Sequence, residues 1–234
     1  MNKSKHTFFC RDLNFGILSK DESLHASKVL RLKDGDIITV LNGSGRCVKA
    51  KITGSQKKEV SFEILNELKH NKSPLNIHIA IAPTKNIDRF AFFLEKVTEM
   101  GVKEITPIIS FHSERKKLRH DKLERGMISA IKQSGNLFLP RLNELTKLSD
   151  FFNQNFSNFK KYIAHCEDEK DKKKFVDEID KGDNVLILIG PEGDFSQEEI
   201  NLAKQKGFIP VSLGETRLRT ETAGILACHT VYLQ

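Results

Sequence analysis

Arg217, Arg219 and Glu221 alternate with Thr216, Leu218, Thr220 and Thr222 in the stretch LGETRLRTETA (213–223). A second stretch, IGPEGDFS (189–196), carries Gly190, Pro191, Glu192, Gly193 and Asp194. An arginine two residues from a glutamate can balance a developing charge or move a proton. The same pair can also be a plain Arg219–Glu221 salt bridge, or a carboxylate placed where a helix start favours it. Gly190 and Gly193 let main chain come close to a ligand, and Pro191 stiffens the segment between them. The loop has neither the G-x-G-x-x-G of a dinucleotide site nor the G-x-x-x-x-G-K-[ST] of a P-loop, and Glu192 and Asp194 would repel phosphate. It is built for tight main-chain contact with some other ligand, or it is an ordinary strand-to-helix turn.

Both stretches leave a strand and enter a helix. NVLILIG and VSLG supply the strands, while SQEEINLAKQKG and TAGILACHTVYL supply the helices. Ser196 and Glu199 have the spacing of a capping box, which fixes where the first loop ends and contributes about 1 kcal/mol. Upstream, LNIHIAIA predicts a strand, and NIDRFAFFLEKVTEMG a helix with Phe90, Phe93, Leu94, Val97 and Met100 on one face and Gly101 as its stop. EITPIIS and KYIAHC predict further strands, and KLERGMISAIKQSG a further helix. Alternation at these lengths predicts a mostly parallel sheet covered on both faces, with ligands beyond the carboxyl ends of its strands.

The first third is different. DIITVLNGSGRCVKAKI alternates apolar and polar residues around Asn-Gly, a hairpin signal, and HTFFC and EVSFEIL add short strands, so a small barrel or curled sheet is predicted. DESLHASKVLRLKDGD predicts a short helix starting near Asp21 or Ser23, with a turn at Asp34-Gly35. Its His25, Lys28 and Arg31, three apart, would share a helical face that either touches phosphate or is solvated. The polar run KHNKSP (69–74) marks the boundary between domains 1–73 and 74–234.

Residues 1–73 hold 14 Lys and Arg against 8 Asp and Glu, a net +6, whereas residues 74–234 hold 24 against 23, a net +1. A basic module beside a near-neutral one suits a polyanion grip attached to a site of another kind, although ordinary surface charge would read the same. HSERKKLRHDKLER (112–125) could likewise reach a polyanion or be a solvated face, and EDEKDKKKF (167–175) is a solvated tract. The four cysteines lack any C-x-x-C pair, which suggests neither a zinc ribbon nor a disulfide framework. With no secretory signal and no apolar run near the roughly 20 residues of a membrane span, a cytoplasmic protein without metal or membrane partner is expected.

IGPEGDFS and LGETRLRTETA together resemble the family of small-subunit (16S) ribosomal RNA uridine N3-methyltransferases, of the knotted superfamily called SPOUT. PTKNIDRF followed by EKVTEMGV, SER at 113–115, KQS at 132–134 and HASKVLRLKDGD support the resemblance, which spans essentially the whole chain in order. It implies a PUA-like β-barrel followed by an α/β domain tied as a trefoil knot, and a homodimer packed through the knot region. It implies S-adenosylmethionine as donor, held by Gly190, Pro191, Glu192 and Gly193, by Leu213, Gly214, Leu218 and Arg219, and by a third wall at Ala164, His165 and Cys166. Arg219 would stabilise charge on the uracil or orient the donor, and Glu221 would position it or accept the N3 proton. A sulfonium already has a good leaving group, so this chemistry calls for alignment and proton removal rather than a metal. Arg11, Lys28, Arg31 and Arg115 would grip 16S rRNA or the small ribosomal subunit, while Asn136 stands where a basic residue would be expected. The alternatives are a knotted methyltransferase acting on tRNA or on a ribose 2′-hydroxyl, and a non-catalytic RNA-binding module with a vestigial donor pocket.

Overall fold

The structure is a computed structural model and describes residues 6–56, 58–68, 73–167 and 172–234. The chain divides into two compact units, Met1–Ser73 with Ile128–Leu139, and Pro74–Met127 with Pro140–Gln234. Of the KHNKSP run, residues 69–72 lie outside the described residues, as do residues 168–171 of the charged tract.

In the first unit β1 (Thr7–Phe9), β2 (Ile37–Leu41), β3 (Cys47–Gln56) and β4 (Glu59–Glu67) form one four-stranded sheet in sequence order. β1 runs parallel to β2, and β2–β3 and β3–β4 are antiparallel. Two register shifts along β3–β4 bend the pair, as extra residues in a ladder do. The sheet closes over Phe8, Leu13, Ile38, Val40, Ile52 and Val60, all nearly or fully buried.

The short helix α1 (Lys20–Leu24) is capped by Ser19, whose hydroxyl accepts from the Glu22 N–H, and not by Asp21 or Ser23. Ser23 is fully buried, donating to the Leu18 carbonyl and accepting from the Val60 N–H, so it ties the helix to β4. The turn after α1 widens over His25–Val29, and Arg31 beyond it adopts φ 54°. The spacing of three therefore does not put His25, Lys28 and Arg31 on one α-helical face; all three are exposed.

The second unit is the predicted alternation. It contains β5 (Leu75–Ile81), α2 (Ile87–Met100), β6 (Val102–Ile109), α3 (His120–Ser134), β7 (Arg141–Leu142), β8 (Thr146–Lys147) and α4 (Leu148–Phe151). Then follow β9 (Lys160–Ala164), β10 (Lys173–Lys174), α5 (Phe175–Glu178), β11 (Val185–Ile189), α6 (Gln197–Gln205), β12 (Ile209–Ser212) and α7 (Thr220–Tyr232). The last part of α3 belongs with the first unit. The eight strands pair in parallel in the order β10-β12-β9-β11-β5-β6-β7, with β8 also on β6.

Both faces are covered, which is why β11 reads as an unbroken apolar run rather than an alternation. On one side Leu186, Leu188 and Ile163 pack with Phe151, Phe195, Ile200 and Phe208. On the other, α7 lies against α2 and β5. Gly224 makes that approach possible, since a Cβ there would stand 2.5 Å from the Phe93 ring and 2.9 Å from Ile81. Gly101 ends α2 at φ 93° with its N–H turned back to the Val97 and Thr98 carbonyls.

His78 of β5 is nearly buried, edge-on to the rings of Phe151, Phe156 and Phe159, with Nε2 2.7 Å from Thr106 Oγ1. Burial lowers its pKa to about 4.

Candidate active site

The register sets Ile189 beside both Ala164 and Ile81, and Val211 beside Ala164, so β9, β11 and β12 end together. The loops leaving these ends enclose a cavity of about 460 Å³, within the range of small-molecule sites. Ala164, His165 and Cys166 form one wall; Gly190, Pro191 and Glu192 a second; Leu213, Gly214, Leu218 and Arg219 a third. Ile189, Val211 and Ala223 add apolar surface at the floor.

Two expected residues are not on the wall. Gly193 faces away, because a Cβ on it would meet His112 Cβ at 2.9 Å, so this glycine serves loop packing. Glu221 is buried in the first turn of α7, and the ion pair its carboxylate makes among the described residues is with Arg89 of α2, at 3.9 Å, rather than with Arg219. Gly214, in contrast, has no neighbour within 4 Å of a built Cβ and leaves the third wall open.

Residues without an assigned role in the sequence hold the loops together. Asp194, at φ 65°, accepts from the Cys166 N–H at 2.6 Å and from the Phe195 N–H at 2.8 Å, joining the first wall to the second. Partial desolvation and this carboxylate raise the Cys166 thiol above its usual range. Arg217 donates to the Glu192 carbonyl at 3.0 Å, joining the second wall to the third, while Glu192 Oε1 accepts from the Lys85 N–H at 3.0 Å. Lys172 lines the cavity and donates to the carbonyls of His165 and Glu167. The capping box is present as read: the Ser196 hydroxyl accepts from the Glu199 N–H and Glu199 Oε2 from the Ser196 N–H.

Of the four cations expected on RNA, Arg11, Lys28 and Arg31 are exposed residues of the first unit, Arg11 lying over the Phe9 ring. Arg115, in the second unit, is half-buried and directs Nε to the Thr84 carbonyl and Nη2 to the Lys85 carbonyl. Its guanidinium is a strap on the chain leading into α2. Among the described residues no group of three or more His, Cys, Asp or Glu gathers as metal ligands, and no helix is long and apolar enough to cross a membrane.

These residues suit a nucleoside-type methyl donor. Apolar side chains such as Ile189, Val211, Leu213 and Leu218 offer a bed for a flat base, and the main chain at Gly190 and Gly214 can approach a ligand closely. A parallel α/β sheet with such a site, in a chain whose first third is basic and rich in strands, fits the class of RNA methyltransferases, and the profiles place the chain there: the RNA methyltransferase domain profile matches residues 71–232, and the RNA methyltransferase PUA domain profile residues 18–65. The chain belongs to the ribosomal RNA small subunit methyltransferase E family. The protein of that name from Buchnera aphidicola (Acyrthosiphon pisum) is 32% identical over 92% of this chain and 87% of its own. The crystal structure of the one from Neisseria gonorrhoeae, bound to S-adenosyl methionine, matches with TM-score 0.81 and 30% identity over 96% of this chain and 95% of that one. A probable rRNA-methyltransferase from Porphyromonas gingivalis matches with TM-score 0.88 and 37% identity over 96% and 95%.

Proposed function

We propose that this enzyme methylates N3 of a uridine in small-subunit (16S) ribosomal RNA, with S-adenosylmethionine as donor. The observation that carries the reading is the cavity itself. Both stretches that carry the family resemblance, IGPEGDFS and LGETRLRTETA, meet at its walls, in a chain that matches a donor-bound rRNA methyltransferase along nearly its full length.

Within this reading Ala164, His165, Gly190, Pro191, Glu192, Leu213, Gly214 and Leu218 hold the donor, and Gly193 supports them through the loop. The donor supplies a methyl group on a sulfonium, and transfer exchanges the S–C bond for an N–C bond, leaving the donor as a neutral thioether, while the N3 proton passes to solvent water. Removing that proton spreads negative charge over N3 and the flanking carbonyl oxygens of the ring. Arg219, exposed on the cavity wall, balances that charge as it develops. The Glu221–Arg89 pairing supports a positioning role for Glu221, which holds the first turn of α7 and with it the preceding Arg219.

The finer architecture belongs to the same proposal: residues 1–73 as a PUA-like barrel domain and residues 74–234 as a trefoil-knotted methyltransferase domain, paired as a homodimer through the knot region and working in the cytoplasm. Arg11, Lys28 and Arg31 grip rRNA phosphates from the basic first third. Arg115 shapes the site rather than the grip, given its bonds to the Thr84 and Lys85 carbonyls.

The test is nucleoside mass spectrometry of 16S rRNA from cells with the gene deleted and then restored. Loss and recovery of 3-methyluridine is expected. An unchanged 3-methyluridine level, with another methylated nucleoside lost, would overturn the assigned target and leave the donor site.

A further inference from the structure

Phe111 is among the most exposed large apolar side chains described, at 76%. It sits at the end of β6, in the short turn Ser110–Ser113 that leads to the basic run Lys116, Lys117 and Arg119, all exposed. A surface phenylalanine on a flexible loop would mean little. This one is fixed.

The turn is closed on itself, with the Ser113 N–H donating to the Ser110 carbonyl at 3.1 Å and the Ser110 N–H to the Ser113 hydroxyl at 3.0 Å. It is also clamped to the loop that forms the second cavity wall. The Phe111 N–H donates to Glu199 Oε1 at 2.8 Å, using the second oxygen of the capping-box carboxylate. His112 Nδ1 lies 3.0 Å from the Asp194 carbonyl, and the His112 side chain fills the space that Gly193 leaves. Arg115 straps the other end of the turn to residues 84 and 85. The rings of Phe111 and His112 meet edge to face, 4.9 Å apart at 83°, and the Phe111 side chain remains 76% exposed.

We propose that Phe111, in edge-to-face contact with His112, is a stacking platform for an unpaired base of the RNA substrate, held on a turn bonded to the loop of the second cavity wall and followed in the chain by the exposed cations Lys116, Lys117 and Arg119. It is a positioning residue, and the inference rests on the function proposed above. An enzyme that modifies N3 must reach a ring atom that pairing would hide, so the target must be unpaired, and its neighbours lose stacking partners. Proteins recover that loss by stacking exposed bases on aromatic side chains beside positive charge. A rigid ring gives this at low entropic cost, and leucine, though apolar, lacks the flat face.

The test compares Phe111→Leu and Phe111→Tyr with the unaltered enzyme, using small ribosomal subunits from the deletion strain as substrate and measuring KM for subunits, kcat, donor affinity by calorimetry and mass by sedimentation. Stacking of one base is worth about 1–3 kcal/mol, so Phe111→Leu should raise KM about five- to 150-fold. kcat and donor affinity should hold, and Phe111→Tyr should restore KM. A Leu variant with unchanged KM overturns the platform. So does a loss of donor affinity in both variants, which marks a structural role, and so does a changed sedimentation mass at unchanged KM, which assigns Phe111 to a contact between protein chains. If the unaltered enzyme transfers no methyl group to these subunits, the proposed function falls and this inference with it.

Discussion

Replacing Asp194 separates the bonds that tie the cavity walls from the backbone conformation they sit on. Its carboxylate accepts two N–H groups, from Cys166 across the cavity mouth and from Phe195 in its own loop, and its φ of 65° is one that only glycine adopts freely. Bonds to an ionised acceptor contribute about 1.5–3 kcal/mol each, and the lower figure applies to a half-buried side chain, so the pair is worth about 3 kcal/mol. Asp194→Ala loses both bonds and keeps the unfavourable φ, so urea unfolding without ligand should show a loss of about 3 kcal/mol or slightly more. Asp194→Gly loses the same bonds but relieves the backbone, and it should be the more stable of the two by about 1 kcal/mol. Freed from Asp194, the wall at Ala164 to Cys166 must be ordered again on binding, and a cost near one such bond predicts a donor Kd about tenfold weaker in both variants. The reasoning is refuted if Asp194→Ala unfolds within about 0.5 kcal/mol of the unaltered protein, the range of an ordinary surface substitution. It is equally refuted if glycine proves less stable than alanine.

Three further outcomes are expected. Burial holds the His78 pKa at about 4 while the unfolded chain titrates near 6.5, so between these values the unfolded state binds more protons; stability should be full above pH 6.5 and fall by about 3 kcal/mol towards pH 4. Urea midpoints across that window should show a shallower slope for His78→Gln, and an unchanged slope would remove His78 as the cause. Gly224→Ala gains about 1 kcal/mol of helix propensity but drives a Cβ into Phe93 and Ile81, and overpacking of about 1–3 kcal/mol should win; a more stable variant by thermal melting would contradict the packing of α7 on α2 and β5. Glu221→Gln should keep donor affinity and lower kcat about fivefold, the scale of about 1 kcal/mol for a first-turn carboxylate, whereas loss of a proton acceptor costs about 10²–10⁴-fold. A loss in that larger range in single-turnover assays would make Glu221 the acceptor.

What the sequence made legible follows how far each interaction reaches along the chain. Ser196 and Glu199 cap α6 as read, and Gly101 stops α2 as read, because each device closes within four residues. The parallel sheet was legible because a strand covered on both faces must be apolar throughout, as β11 is. Side chains whose partners lie far off in sequence were not. Ser23 carries the chemistry of a cap but is used across 37 residues by the Val60 N–H, and the cap fell to Ser19. Arg115 carries the charge of a phosphate ligand but is used by carbonyls 30 and 31 residues away. Gly193 read as a glycine cleared for a ligand, yet the group it makes room for is His112. In each case residue type announced a capacity, and only tertiary contact decided which partner took it. Phe111 inverts the pattern, since its type predicts burial, and only a turn pinned from Glu199, 88 residues on, explains why it stands in solvent. An apolar ring held out of the core by that many polar bonds has a position the fold maintains at the expense of burial, which is the argument for testing it on RNA before any other surface residue.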